Sequence, residues 1–185
     1  LQAVIKKHKR VLFNGDNYTE EWHLEAERRG LPNFKTTPEA FKVLEEEKTV
    51  KLFEKYAVLS RKELLSRYEI YMHNYQSVLS YEAECARTIA ATQIFPAVVE
   101  YQALLAATVK AVDEAGGKAA AAKEVLGKVS GLADELFAGI QALEGAIECR
   151  CTDKMKAAMV QARAAADELE AIVPADLWPL PTYAE

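Results

Sequence analysis

The sequence predicts a mostly α protein: an antiparallel bundle or hairpin of long helices, preceded by a short helix-strand-turn-helix joint. Three observations predict it. Apolar residues recur at helical spacing over long stretches, as in Leu64, Tyr68, Tyr71, Tyr75 and Val78. Gly116-Gly117 breaks the longest of these stretches, where a hairpin corner belongs. The front of the chain has a different texture, a basic run followed by an apolar triplet and an Asn-Gly turn. The expected divisions are a joint segment over 1–59, a bundle over 60–173 and an irregular tail over 174–185.

Leu-Gln-Ala-Val-Ile-Lys-Lys at the start reads as the end of a helix already under way, and no initiator methionine precedes it. An N-terminus cut from a longer chain is therefore expected. Lys6 to Arg10 leads into Val11-Leu12-Phe13, a candidate short strand, and then into Asn14-Gly15-Asp16-Asn17. Asn-Gly suits a turn that needs positive φ, expected at Gly15. Thr19 is placed to cap a helix whose first turn holds Glu20 and Glu21, complementing the helix dipole. Arg28 and Arg29 sit in its last turn, and Gly30 fits the left-handed residue beyond it. Thr37 with Pro38 at the first helical position predicts a short helix to about Glu47, followed by another over about Thr49 to Tyr56.

The bundle opens with a capping box, Ser60 and Glu63. From Arg61 a helical face continues through Ile89, Val98, Tyr101, Leu105 and Val112, a helix of roughly 80 Å at ~1.5 Å per residue. Pro96 lies inside it, so a kink is expected a few residues earlier. The next helix, about Lys118 to Glu148, carries the seam Ala122, Val125, Val129, Leu132, Leu136, Ile140, Leu143 and Ile147. Its glycines, Gly127, Gly131, Gly139 and Gly145, each cost about 1 kcal/mol relative to alanine and point to close helix packing. Thr152 and Asp153 restart a helix with the seam Met155, Met159, Ala162, Ala166 and Leu169, ending before Pro174. Pro179 and Pro181 exclude regular helix in the tail, which Trp178 and Tyr183 are expected to anchor.

Composition narrows the function classes. The 185 residues carry a net charge of -5, which argues against a general nucleic-acid binder. Residues 1–67 hold 14 Lys/Arg and 11 Asp/Glu, while the remaining 118 hold 9 and 17. A basic front and an acidic rear can help orient the chain in an assembly, or can be two ordinary solvated faces. Three sparse cysteines, Cys85, Cys149 and Cys151, suggest a reducing compartment without a disulfide framework, hence the cytoplasm. There is no secretory signal, and no apolar run reaches the ~18 residues of a membrane span.

No constellation carries chemistry. Cys149-Arg150-Cys151 is at most half of a closed zinc site. His8, His23 and His73 show no metal-ligand spacing. Lys6-Lys7-His8-Lys9-Arg10 could meet a phosphate or an acidic partner, but equally suits a solvated helix end. Glu45-Glu46-Glu47 reads as solvated surface at a helix end where the dipole opposes it. Tyr68, Tyr71 and Tyr75 form a stripe suited to a core or an interface. Catalytic, cofactor-binding and metal-binding residues are accordingly assigned to none of the chain.

The string HKRVLFNGDNY followed by EEW resembles the segment just past the catalytic core of type III glutamine synthetases. Further matches follow in order: Ala26-Glu27-Arg28-Arg29-Gly30-Leu31, Thr36-Thr37-Pro38, Lys51-Leu52-Phe53, Ser66-Arg67-Tyr68-Glu69 and Pro96-Ala97-Val98. The resemblance is strongest over residues 6–101. Asn17 and Phe41-Lys42-Val43 depart from it locally. For the parent enzyme it implies ATP-dependent ligation of ammonia to glutamate through a γ-glutamyl phosphate, with divalent metal (magnesium or manganese), in a large homo-oligomer. It places the metal, ATP and glutamate sites upstream of Leu1. The chain is then an inactive structural and assembly region whose partners are the upstream catalytic domain and neighbouring subunits, with neither nucleic acid nor membrane. The alternative is a stand-alone helical interaction or oligomerisation module. Lys6 to Tyr18 discriminates the two, because a free-standing bundle has no need of such a joint.

Overall fold

A computed structural model describes residues 1–181; Tyr183, one of the two expected tail anchors, lies outside them. The chain divides into two compact units, Leu1–His73 and Asn74–Glu185, each taken by itself below.

The first unit holds four short helices and the start of a long one: α1 Gln2–Lys7, α2 Glu20–Arg28, α3 Thr37–Phe41, α4 Glu47–Lys55 and the beginning of α5 Arg61–Ile89. Two local expectations hold. Gly30 has φ +68°, and the N–H groups of Gly30 and Leu31 return to the carbonyls of Glu27 and Ala26, closing a Schellman motif. Ser60 and Glu63 form the capping box: the Ser60 N–H donates to Glu63 Oε2 at 2.8 Å, and the Glu63 N–H to Ser60 Oγ at 3.4 Å.

Several local expectations are corrected. The strand at Val11–Phe13 does not form, and no strand occurs among the described residues. Lys9–Val11 makes a single 3-10 turn instead. A strand needs a ladder partner, and the carbonyls of Arg10 and Leu12 are taken by the Arg29 guanidinium. The cap of α3 is Thr36 rather than Thr37, which puts Pro38 one position later; Glu39 completes the box. The helix expected to reach Glu47 ends at Phe41, a 3-10 turn covers Lys42–Glu45, and the extended Glu46 starts α4. Glu46 and Glu47 therefore sit at a helix N-terminus, where the dipole favours them. At the end of α4, Ala57 takes φ +51° and closes a Schellman motif without glycine.

The second unit contains the rest of α5, then α6 Phe95–Glu114, α7 Ala120–Glu148 and α8 Thr152–Glu170. Between α5 and α6 the helix widens into a π turn over Ala90–Ile94, directly before Pro96. Phe95 N–H reaches back to the Ala90 carbonyl, which moves the preceding turn away from the proline ring. Arg61–Glu114 is one helix of 54 residues, long and apolar enough to cross a membrane by length and composition. Gln93, Glu100 and Gln102 interrupt any strictly apolar run within it. Within the chain, Ile94 and Val98 on its inner face pack in one cluster with Val129, Leu136 and Leu169.

The α7 and α8 seams interlock. Val129, Leu132, Leu136, Gly139, Leu143 and Ala146 are buried on α7 at alternating steps of three and four. Met155, Ala158, Ala162, Ala165 and Leu169 do the same on α8, so the expected Met159 and Ala166 each give way to the residue before. A Cβ on Gly139 would lie 2.9 Å from Ala162 Cα, the close approach expected of the α7 glycines. Gly127, Gly131 and Gly145, in contrast, have nothing within 4 Å of an added Cβ. The turns after α6 and α7 are Schellman motifs at Gly116 (φ +77°) and Arg150 (φ +50°). Past α8, Trp178 is buried in the cluster of Leu169 and Val173, as expected of a tail anchor.

These contacts separate the glycines by experiment. Gly131→Ala is expected to stabilise the chain by about 0.5–1 kcal/mol, through helix propensity alone. Gly139→Ala is expected to destabilise it, because the new methyl meets the Ala162 backbone. Ile140→Asp, placing a carboxylate at a 4% exposed position, is expected to abolish cooperative melting. Thermal unfolding of the three variants checks all three signs.

Candidate functional site

The first unit buries few side chains and exposes many apolar ones. Among its described residues only Ala26, Val50 and Leu64 are buried hydrophobics. Leu1, Val4, Tyr18, Leu24, Tyr56 and Val58 are each more than 60% exposed.

Within the first unit, a hub forms around Arg29. Its Nε donates to Glu25 Oε1, and its Nη1 donates to the Leu12 carbonyl at 2.6 Å and to the Arg10 carbonyl at 3.2 Å. Its guanidinium lies 5.8 Å from the centroid of the Trp22 ring. Phe13 stacks on Trp22 with centroids 4.6 Å apart. The 10–15 segment is thus fastened to α2 through two carbonyls and two rings. Planar guanidinium chemistry suits this, since one fork serves a carboxylate, two carbonyls and a ring face.

The turn is built differently from expectation. Gly15 is not in the left-handed region. It is required for space: a Cβ there would lie 2.6 Å from Phe13 Cε1. Thr19 occupies the cap position of α2, but its hydroxyl donates to the Asp16 carbonyl, while Asp16 Oδ1 accepts the Tyr18 N–H.

Charge reinforces the hub. Hydrogen bonds from Arg28 and then Arg29 hold the Glu25 carboxyl down to about 2. Arg61 holds Glu47 below its ordinary range, tying α4 to the start of α5. The Arg61–Glu47 pair is about half exposed and Arg28 is largely exposed, so solvent screens these pairs, while Arg29 and Glu25 are partly buried.

The residues weighed for chemistry in the sequence are not gathered. No group of three or more His, Cys, Asp or Glu side chains is placed to hold a metal among the described residues. Cys85 and Cys149 are exposed, Cys151 is partly exposed, and all three are free thiols. Lys6, Lys7, His8, Lys9 and Arg10 are all exposed. Tyr71 stacks on Phe41 at 5.3 Å, and Tyr75 packs against Leu79 and its neighbours in the second unit, fitting the core-or-interface reading of the stripe. The residue that sequence reasoning passed over is Arg29, which looked like a dipole-complementing cation. Its 17-residue reach to Leu12 has no local signature.

Two outcomes test the hub. Glu25 has its ordinary pKa of 4.5 lowered to about 2, so its contribution is complete above about pH 4.5 and lost as pH falls toward 2. Trp22 emission, read in a Trp178→Phe background, is expected to shift across that window and to stay flat in Glu25→Gln. Gly15→Val is expected to push the Phe13 ring off Trp22, giving the same emission change at neutral pH while the bundle melts almost as before.

The family model described as the glutamine synthetase C-terminal domain matches residues 1–113. Glutamine synthetase from Butyrivibrio fibrisolvens is 29% identical over 209 residues, covering 100% of this chain and 28% of the relative. Type-3 glutamine synthetase from Dictyostelium discoideum is 31% identical over 203 residues, again covering 100% of this chain and 28% of the relative. Glutamine synthetase from Bacteroides fragilis (strain YCH46) is 32% identical over 92 residues, 50% of this chain and 13% of the relative.

Proposed function

The chain belongs to the glutamine synthetase C-terminal domain family, and we propose that it serves the parent enzyme as a docking and assembly region. It spans about 28% of the length of the first two relatives, so the ligase chemistry is proposed for the parent and not for this piece. In that parent, ammonia is ligated to glutamate at the expense of ATP with divalent metal, at sites that lie in the remainder of the polypeptide. The chain alone has no ligase activity, and its partners are the catalytic body and neighbouring subunits of a homo-oligomer. Sparse free cysteines support a cytoplasmic location.

One observation carries this reading. The first unit exposes Leu1, Val4, Tyr18 and Leu24 while burying only Ala26, Val50 and Leu64, so it lacks a core sufficient for a free-standing domain. The Arg29 hub fastens residues 10–15 to α2 and leaves Tyr18 and Leu24 exposed. A structured but uncovered apolar surface suits rigid docking onto a neighbour.

The purified chain is expected to show no γ-glutamyl transfer and no ATP binding by calorimetry; activity in it would overturn the reading. Leu24→Asp should leave the melting of the isolated chain unchanged, because Leu24 is 61% exposed. In the full-length enzyme the same change should cost on the order of tenfold in activity and reduce oligomer size. A mutant enzyme that is fully assembled and fully active would show that this surface stays uncovered.

A further inference from the structure

The outward face of the long helix carries a second pattern, in the second unit. Val78, Tyr81, Cys85, Thr88 and Thr92 are all exposed and follow steps of three and four. Beyond the π turn, Pro96, Val99, Ala103 and Ala106 continue the stripe, and all are exposed. The step from Thr88 to Pro96 is eight residues rather than seven, and the extra residue of the π turn absorbs the difference. The stripe therefore stays on one face for about 40 Å of helix. None of its members is charged, whereas the solvent face of a lone surface helix is ordinarily charged. Only 17% of the most apolar 18-residue stretch of this helix is buried.

The spacing is symmetric about Thr92. An antiparallel copy of the same helix, related by a two-fold axis at Thr92, faces each member of the stripe with another member. Tyr81 then meets Ala103 of the second copy, Val78 meets Ala106, and Thr92 meets itself. In the two outer pairs the larger residue, Val78 or Tyr81, faces an alanine, so reversal sets bulk against space at each end. We propose that this face is a self-association surface whose occupant is the same helix of a second copy, antiparallel and centred on Thr92. It uses residues apart from the Arg29 hub, so it stands or falls independently of docking by the first unit. One feature opposes it: Glu82 and Glu100 each follow a stripe residue on the same flank, and same-side flanks meet in an antiparallel pair. The contact tightens as salt screens that repulsion.

Sedimentation equilibrium of the 185-residue chain tests this. The wild type is expected to be in monomer–dimer equilibrium, tighter at high salt. Tyr81→Glu should weaken it at least about tenfold with unchanged helicity, since Tyr81 is 69% exposed. Ala103→Tyr should weaken it as well, and Tyr81→Ala combined with Ala103→Tyr should restore it. With Cys85, Cys149 and Cys151 replaced by serine, Thr92→Cys should oxidise to a disulfide-linked dimer and Val78→Cys should not. A chain monomeric throughout a dilution series overturns the proposal, as does a dimer indifferent to Tyr81→Glu or one that Thr92→Cys fails to link. Flotation of a monomeric chain with phosphatidylcholine vesicles, lost in Tyr81→Glu, would assign the face to lipid and equally overturn it.

Discussion

The second unit depends on how closely α7 and α8 approach each other. Gly139 sets that distance: with no side chain, it lets the Ala162 backbone come to where its own Cβ would stand. Alanines dominate the facing α8 seam for the same reason, with Ala158, Ala162 and Ala165 buried between Met155 and Leu169. Larger residues can then gather at the two ends of the contact. Leu143 and Met155 fill one cluster with Leu79 and Ala83 of α5. Val129, Leu132, Leu136 and Leu169 fill the other with Ile94 and Val98. The long helix is thereby held on both sides of its π turn by clusters built from the α7–α8 pair.

Helix endings show a complementary economy. Four turns close with the same pair of backbone hydrogen bonds, at Gly30, Ala57, Gly116 and Arg150. Two use glycine, which enters the left-handed region freely. Ala57 and Arg150 enter it at a cost of about 1–2 kcal/mol, offset by satisfying carbonyls the helix end would leave unpaired. At Arg150 the turn fixes the corner that brings α8 back along α7. At Ala57 it stops α4 just before the Ser60 capping box starts α5.

The first unit follows a different logic. Its organisation rests on polar forks and stacked rings more than on a core. Arg29 reaches two carbonyls of a preceding segment, and Trp22 contacts both that guanidinium and the Phe13 ring. Such a framework gives shape without burying much apolar area, and leaves Tyr18 and Leu24 exposed. The first two relatives are much longer polypeptides, of which the chain spans about 28%.

The sequence by itself determined the helical class, the corner at Gly116-Gly117, the Ser60–Glu63 box and the Gly30 cap. Each is a local matter, settled by residues within one or two turns of each other. It also determined the family, through the HKRVLFNGDNY string. Tertiary structure alone decided the rest. Four glycines on α7 look alike in sequence, yet only Gly139 faces a neighbouring backbone. The α8 seam moved by one residue at Met159 and Ala166 because contact with α7, and not hydrophobicity alone, selects the register. Gly15 serves a ring two residues away rather than a positive φ, and the apolar triplet before it found an arginine in place of a strand. Those outcomes depend on which groups meet across long stretches of chain, and no spacing within a segment encodes that.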